Sequence, residues 1–166
     1  MSFHVRGVTN SLAQLRRAVA KYKNKSRKGL IKAALLIKRN SMSRAYSPRD
    51  LGNLAGSHFV VWSGGIDSPT PTFVTDLKHA GTNLISKLNT SHGIAVAEED
   101  ASVGSNPFQV VIGVSAFYAL FVHEADESVE FRVGQRKFLQ RAISENLPNI
   151  LAVIAAEARV TGSDLA

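Results

Sequence analysis

The stretch Phe108-Gln109-Val110-Val111-Ile112-Gly113-Val114-Ser115-Ala116-Phe117-Tyr118-Ala119-Leu120-Phe121-Val122-His123-Glu124 decides how the rest of the chain is read. Phe108, Val110, Ile112 and Val114 share one face at the two-residue period of a strand. Val111 and Gly113 occupy the other face, so a strand covered on both sides is expected. A small-aromatic turn follows, and the apolar run then stops at His123-Glu124. The block Lys137-Phe138-Leu139-Gln140-Arg141-Ala142 opens a helix that the pattern carries to about Val160, with Phe138, Leu139, Ala142, Ile143, Ile150, Leu151, Val153 and Ile154 apolar. Pro148 lies inside it. Proline lacks the backbone donor and collides with the preceding turn, so a kink or a break between two helices is expected there. Gly162 marks the end.

Upstream, Thr9, Asn10 and Ser11 offer N-caps to a first helix, on which Leu12, Leu15, Val19 and Tyr22 form an apolar stripe and Arg16, Arg17, Lys21 and Lys23 face away. The stripe lapses from Asn24 to Gly29, the mark of a turn or a bend. A second helix is read through Leu30, Ile31, Ala34, Leu35 and Ile37, with Lys32, Lys38 and Arg39 outside, ending near Tyr46 because Pro48 forces Ser47 to be extended. His58 to Trp62 reads as a strand. Residues 64–72, with two glycines and two prolines, read as an exposed loop. Between 73 and 105 a helix from about Ser91 to Ser102, capped by Thr90 or Ser91, competes with a strand through Ile94 and Val96. Residues 125–136 read as a loop or arm. The expected fold is therefore α+β: one domain over residues 1–166, with a small, mostly antiparallel sheet flanked by long N-terminal and C-terminal helices.

Composition narrows the function classes. The chain has 166 residues, 45% hydrophobic and 20% charged, in the range of a globular domain with a core. No cysteine is present, which removes disulfides and thiolate metal sites. No apolar run reaches the roughly 18 residues of a membrane span, and Met1 to Arg6 lacks the apolar core of a secretory signal. A cytosolic or virion-assembled protein is expected. The net charge of +7 conceals a division: residues 1–50 hold 13 of the 20 Lys and Arg against the single acid Asp50, whereas residues 51–166 carry a balance of −5. Arg16, Arg17, Lys21, Lys23, Lys25, Arg27 and Lys28 are the candidate contacts to phosphate or to an acidic partner. Non-specific DNA binding is one reading of them, and solvated helix faces or contacts between unlike surfaces are the others.

Chemistry has little to stand on. His123 and Glu124 are the most reactive-looking pair, but neighbours on a helix or strand point apart, so no local acid–base dyad is expected. Ser115 lacks the glycine pattern of a nucleophile elbow. His4, His58, His79 and His92 have no zinc spacing, and a site assembled from His79 and His92 with Glu98 or Asp100 has no support in the pattern. No phosphate-cradling glycine motif is present. No enzyme activity, catalytic residue, metal or cofactor is expected; a small hydrolase using His123 and Glu124 is the rival.

Three of these blocks together carry a resemblance. Pro48-Arg49-Asp50-Leu51-Gly52-Asn53-Leu54 is a proline turn before a strand. Tyr118-Ala119-Leu120-Phe121-Val122-His123-Glu124 is a Tyr-Ala turn closing in His-Glu. Val133-Gly134-Gln135 precedes Phe138-Leu139-Gln140-Arg141-Ala142, a Phe-Leu-x-x-Ala helix start. In this order after a basic helical region, they resemble the tail-completion, or neck, proteins of long-tailed bacteriophages over roughly residues 8–158. Leu51 stands where that family has a hydroxyl residue. The resemblance implies an α+β fold without catalysis. It implies a ring, often of six copies, at the head–tail junction of the virion, assembled in the host cytoplasm. The implied partners are further copies, the adjacent connector and tail-tube or terminator proteins, and genomic DNA in the lumen, with no membrane. A tail-terminator role is the nearest alternative. Tyr118, Phe121, His123, Glu124, Asp126, Glu127 and Arg132 are the expected partner or oligomer contacts, and Phe138 and Leu139 the expected core anchors.

Overall fold

A computed structural model of the chain describes residues 8–48, 52–68, 71–75 and 83–159, with the side chains of the first helix from Leu15 onward. His4, Arg49 to Leu51, His79 and Gly162 lie outside the described residues, and with them the middle of the proline-turn block. The element order is α1 (Val8–Ser41), α2 (Asn53–Gly56), β1 (His58–Trp62), β2 (Gly65–Asp67), α3 (Leu84–Val103), β3 (Val110–Val114), α4 (Ala119–His123), α5 (Phe138–Ser144) and α6 (Leu147–Ala158). This is the expected α+β arrangement, with a three-stranded antiparallel sheet ordered β2-β1-β3.

The largest departure is α1, one continuous helix of 34 residues with no bend at Asn24 to Gly29. Thr9, Asn10 and Ser11 consequently lie inside it rather than capping it. Gly29 looked like a breaker, but it is a contact point. A Cβ built there would come 3.0 Å from the Ile154 carbonyl oxygen and 3.2 Å from its Cα. A glycine at that position lets α1 and α6 approach closely, and Ala33, Ile37 and Ile150 complete the seam. Helix α1 stops at Ser41, five residues before Tyr46. A turn follows, closed by Ser43 N–H to Asn40 O (2.9 Å) and Ser47 N–H to Ser43 O (2.9 Å). Pro148 does mark a break: it sits in the first turn of α6, where its missing donor costs nothing.

The sheet has a helix on each face. On one side Phe59, Val61 and Val111 pack with Val103, Ala95 and Val96 of α3. On the other, Ile112 meets the α1–α6 seam. Register explains the pairing, since Val61 lies opposite Val111 and Val60 opposite Ile112. Gly113 lies opposite Phe59, and a Cβ there would fall 2.2 Å from the ring. The expected exposed loop at 64–72 contains β2 instead. Ser63 and Gly64, the latter at φ 80°, form a two-residue hairpin turn that returns Gly65 to Asp67 antiparallel to β1. Helix α3 starts seven residues before Ser91, with Asn83 rather than Thr90 or Ser91 at its cap, and it displaces the alternative strand through Ile94 and Val96.

Lys38, expected on the outer face of α1, is buried. Its ammonium donates to the Asp67 carboxylate (3.0 Å) and to the Asp67 backbone carbonyl (2.9 Å), tying α1 to the end of β2. The Lys38 side chain is 7% exposed and that of Asp67 40%. Asp67→Ala leaves the buried ammonium with one carbonyl. The expected loss is about 2 kcal/mol, between the ~0–1 of a surface pair and the ~3–5 of a fully buried one. Urea unfolding of the variant measures it; a loss under about 0.5 kcal/mol would mean the pair is not what holds Lys38 inside.

Candidate assembly interface

The three blocks singled out in the sequence meet in space. After α4 the chain runs through 125–136, and its second half folds back on the turn at the end of α1. Gln135 N–H donates to Tyr46 O (2.8 Å), and Gln135 Nε2 donates to Ala45 O (2.9 Å). Gly134, at φ 82°, passes so close that a Cβ there would lie 2.3 Å from both Pro48 N and Ser47 C. Lys137, at φ 51°, then reverses the chain into α5, with its N–H on the His123 carbonyl (2.8 Å). The segment read as a loop or arm is thus pinned at its second half. Tyr46 continues the tie to the C-terminal helices: its hydroxyl donates to Glu145 (2.9 Å) and accepts from Asn146 Nδ2 (3.2 Å). The carboxylate acceptor favours the protonated phenol and raises the Tyr46 pKa.

Between these blocks lies a groove of about 910 Å³, lined by Arg44, Pro48, residues 52–54, Leu84, Phe117, Tyr118, Val122 and residues 130–133. Asn53, part of the lining, makes a two-way bond with Val74, Nδ2 to the carbonyl (2.8 Å) and Oδ1 from the amide (2.9 Å). Beneath it, Leu54, Phe73, Leu88, Ala116, Ala119 and Phe138 form a buried cluster, with Tyr118 and Leu139 against it. Phe138 and Leu139 therefore anchor the last helices, as expected.

Helix α4 divides by side. Tyr118, Ala119 and Val122 face the core, while Phe117 is 50% exposed, Leu120 68% and Phe121 78%. Of these outward residues the sequence reading picked Phe121 but placed Tyr118 with it. Phe117 and Leu120 were missed, because a continuous apolar run of seven residues does not say which side is covered. The neighbouring carboxylates Glu124, Asp126, Glu127 and Glu130 are exposed, as is Arg132. Glu127 accepts from Arg136 (2.5 Å), which lowers its pKa; Asp126 is lowered chiefly by the Ser128 backbone N–H.

His123 and Glu124 do pair, contrary to expectation: Nδ1 lies 2.7 Å from Glu124 Oε1. Glu124 is the residue that leaves α4 (φ −96°, ψ 17°), and this swings its carboxylate back to the ring. The ring's side packs edge-on against Phe138, centroids 5.0 Å apart. These two contacts hold the ring at the end of α4. His92 is a core residue. Its Nδ1 donates to Ser115 Oγ (2.6 Å), whose hydroxyl donates to Ser57 O (3.0 Å), and Ser68 Oγ donates to Nε2 (2.5 Å). Phe59 and Phe73 stand edge-on to it, and burial lowers its pKa. No group of three or more His, Asp and Glu able to hold a metal occurs among the described residues.

The seven basic candidates separate. Arg27 donates to Ser63 O at the hairpin tip, and Lys25 donates to Arg159 O (3.0 Å) at the carbonyl end of α6, where a cation is favoured. Lys28 is exposed. Arg16, Arg17, Lys21 and Lys23 lie on the part of α1 that runs past the end of α6, and there Leu15, Val19 and Tyr22, expected in the core, are also exposed at 60%, 46% and 53%. Compared with protein-family models, curated proteins and solved structures, the chain matches none.

Proposed function

We propose that this chain is a structural subunit of a phage neck, assembling as a ring that joins or completes the tail at the head–tail junction. The observation that supports this reading is the convergence of the three resembling blocks on one groove and the uncovered α4 face beside it. The groove's walls and the exposed Phe117, Leu120 and Phe121 suit contacts with other proteins. The divided charge favours unlike surfaces meeting, where complementarity sets register and encounter rate more than affinity.

Electron microscopy of particles made without this protein, in the phage that encodes it, is the test. Filled heads beside separate tails of normal length are expected. Tails of uncontrolled length would reassign the subunit to the terminator role, and intact infectious particles would reject the reading.

A further inference from the structure

We propose that the N-terminal overhang of α1 in one copy docks on the α4 face of the next, head to tail. This deepens the neck reading, resting on its claim of self-assembly, by naming the surfaces that meet. Residues 15–24 are exposed apart from Ala18, which is half-buried; α6 ends opposite Lys25. Leu15, Val19 and Tyr22 stand at i, i+4 and i+7, one side of a helix. Such a stripe has no use against phosphates, which argues for a protein surface over DNA. An apolar stripe of that spacing is how an amphipathic helix lays into a receiving surface.

The receiving surface has matching chemistry. Phe117, Leu120 and Phe121 supply apolar area, while Glu124, Asp126 and Glu130 form no ion pair with Lys or Arg among the described residues. Arg16, Arg17 and Lys23 bring exposed positive charge to residues 15–24 of the overhang, which carry no acid. The two surfaces cannot meet within one chain. The α4 face sits with the turn at the far end of α1, and from Tyr22 to Ser41 the helix alone rises about 28 Å. A contact between unlike surfaces of identical chains is heterologous, so it closes as a ring when the rotation permits.

Mixing two variants tests this. Val19→Asp spoils only the overhang and Leu120→Asp only the α4 face; both positions are exposed, so circular dichroism should be unchanged. Wild-type protein in mass photometry at low salt is expected to give multiples of 17.9 kDa, and each variant a single chain. The equimolar mixture is expected to give pairs and stop there, because each pair uses the one intact surface of each partner. A mixture that stays single-chain, or either variant assembling like wild type, overturns the contact. Wild type remaining single-chain at its highest soluble concentration, or binding duplex DNA through the overhang instead, also overturns it. In each case the particle micrographs still judge the neck reading separately.

Discussion

Gly134→Ala is expected to lower the unfolding free energy by about 3 to 4 kcal/mol, a large effect for a single added methyl group. Two costs combine. At φ 82° an alanine is in the left-handed region, unfavourable by about 1–2 kcal/mol. The new Cβ would also lie 2.3 Å from Ser47 C and Pro48 N, backbone atoms that cannot rotate aside. The strand of chain at 133–135 must then lift, releasing both Gln135 hydrogen bonds to the α1 turn, each worth about 1 kcal/mol. Gly52 provides the control. Its φ is 83°, but a Cβ there meets nothing within 4 Å, so Gly52→Ala should cost only the conformational share, about 1 kcal/mol. Urea unfolding of both variants, with limited proteolysis of residues 125–136, reads the difference. Equal costs would mean that the arm is not clamped to the turn.

The second large effect is acid sensitivity centred on His58. Its ring is buried, with Nδ1 donating to the carbonyls of Leu54 and Ala55 at 3.1 Å each. Nε2 is buried without a partner, and Phe138 stands edge-on at 5.7 Å. A second proton would place an unbonded charge there. Burial, helped by nearby Lys38 and only partly offset by the two carbonyls, lowers the pKa from 6.5 to about 4. The unfolded chain therefore takes up the proton first. Stability is full above pH 6.5 and falls as the pH drops from 6.5 to about 4, by about 3 kcal/mol at ~1.4 per pH unit. His92, lowered in the same direction, adds to the slope. His58→Asn keeps a donor near the two carbonyls but cannot titrate. It should start less stable at pH 7.5 and lose much less between pH 7 and 4.5; parallel curves for the two proteins would remove His58 as the cause.

What could be read in advance depended on which forces act locally. The strands β1 and β3 were legible because alternation and β-branched residues are imposed by the sheet itself. Pro148 marked a true boundary, since its constraint is covalent, whereas α1 had already stopped at Ser41 before Pro48 could act. Gly29 misled because its role lies in another helix 125 residues on. The β2 strand was hidden because three residues among glycines and prolines become a strand only through pairing with β1. Lys38 looked like a surface lysine because its partner, Asp67, arrives from the hairpin. Leu15, Val19 and Tyr22 were correctly read as one stripe. Periodicity reports that a stripe is apolar, however, and says nothing of whether the same chain covers it. At the candidate interface, the blocks were visible in sequence, but their meeting across Gly134 and Pro48 was not.

The seam between α1 and α6 joins the first and last of the described helices, with Lys32 held by Glu157 and Lys25 by Arg159. During synthesis, α1 must wait until α6 has been made before its inner side finds its cover. A nascent chain thus carries a long amphipathic helix with both its inner seam and its overhang bare, a species prone to stray association. Only once α6 is in place is the seam hidden, while the overhang and the α4 face stay exposed. The arrival of α6 becomes the step that separates folding from the proposed assembly, and chains cut short near residue 146 should be cleared by chaperones or lost to aggregates rather than built into larger structures.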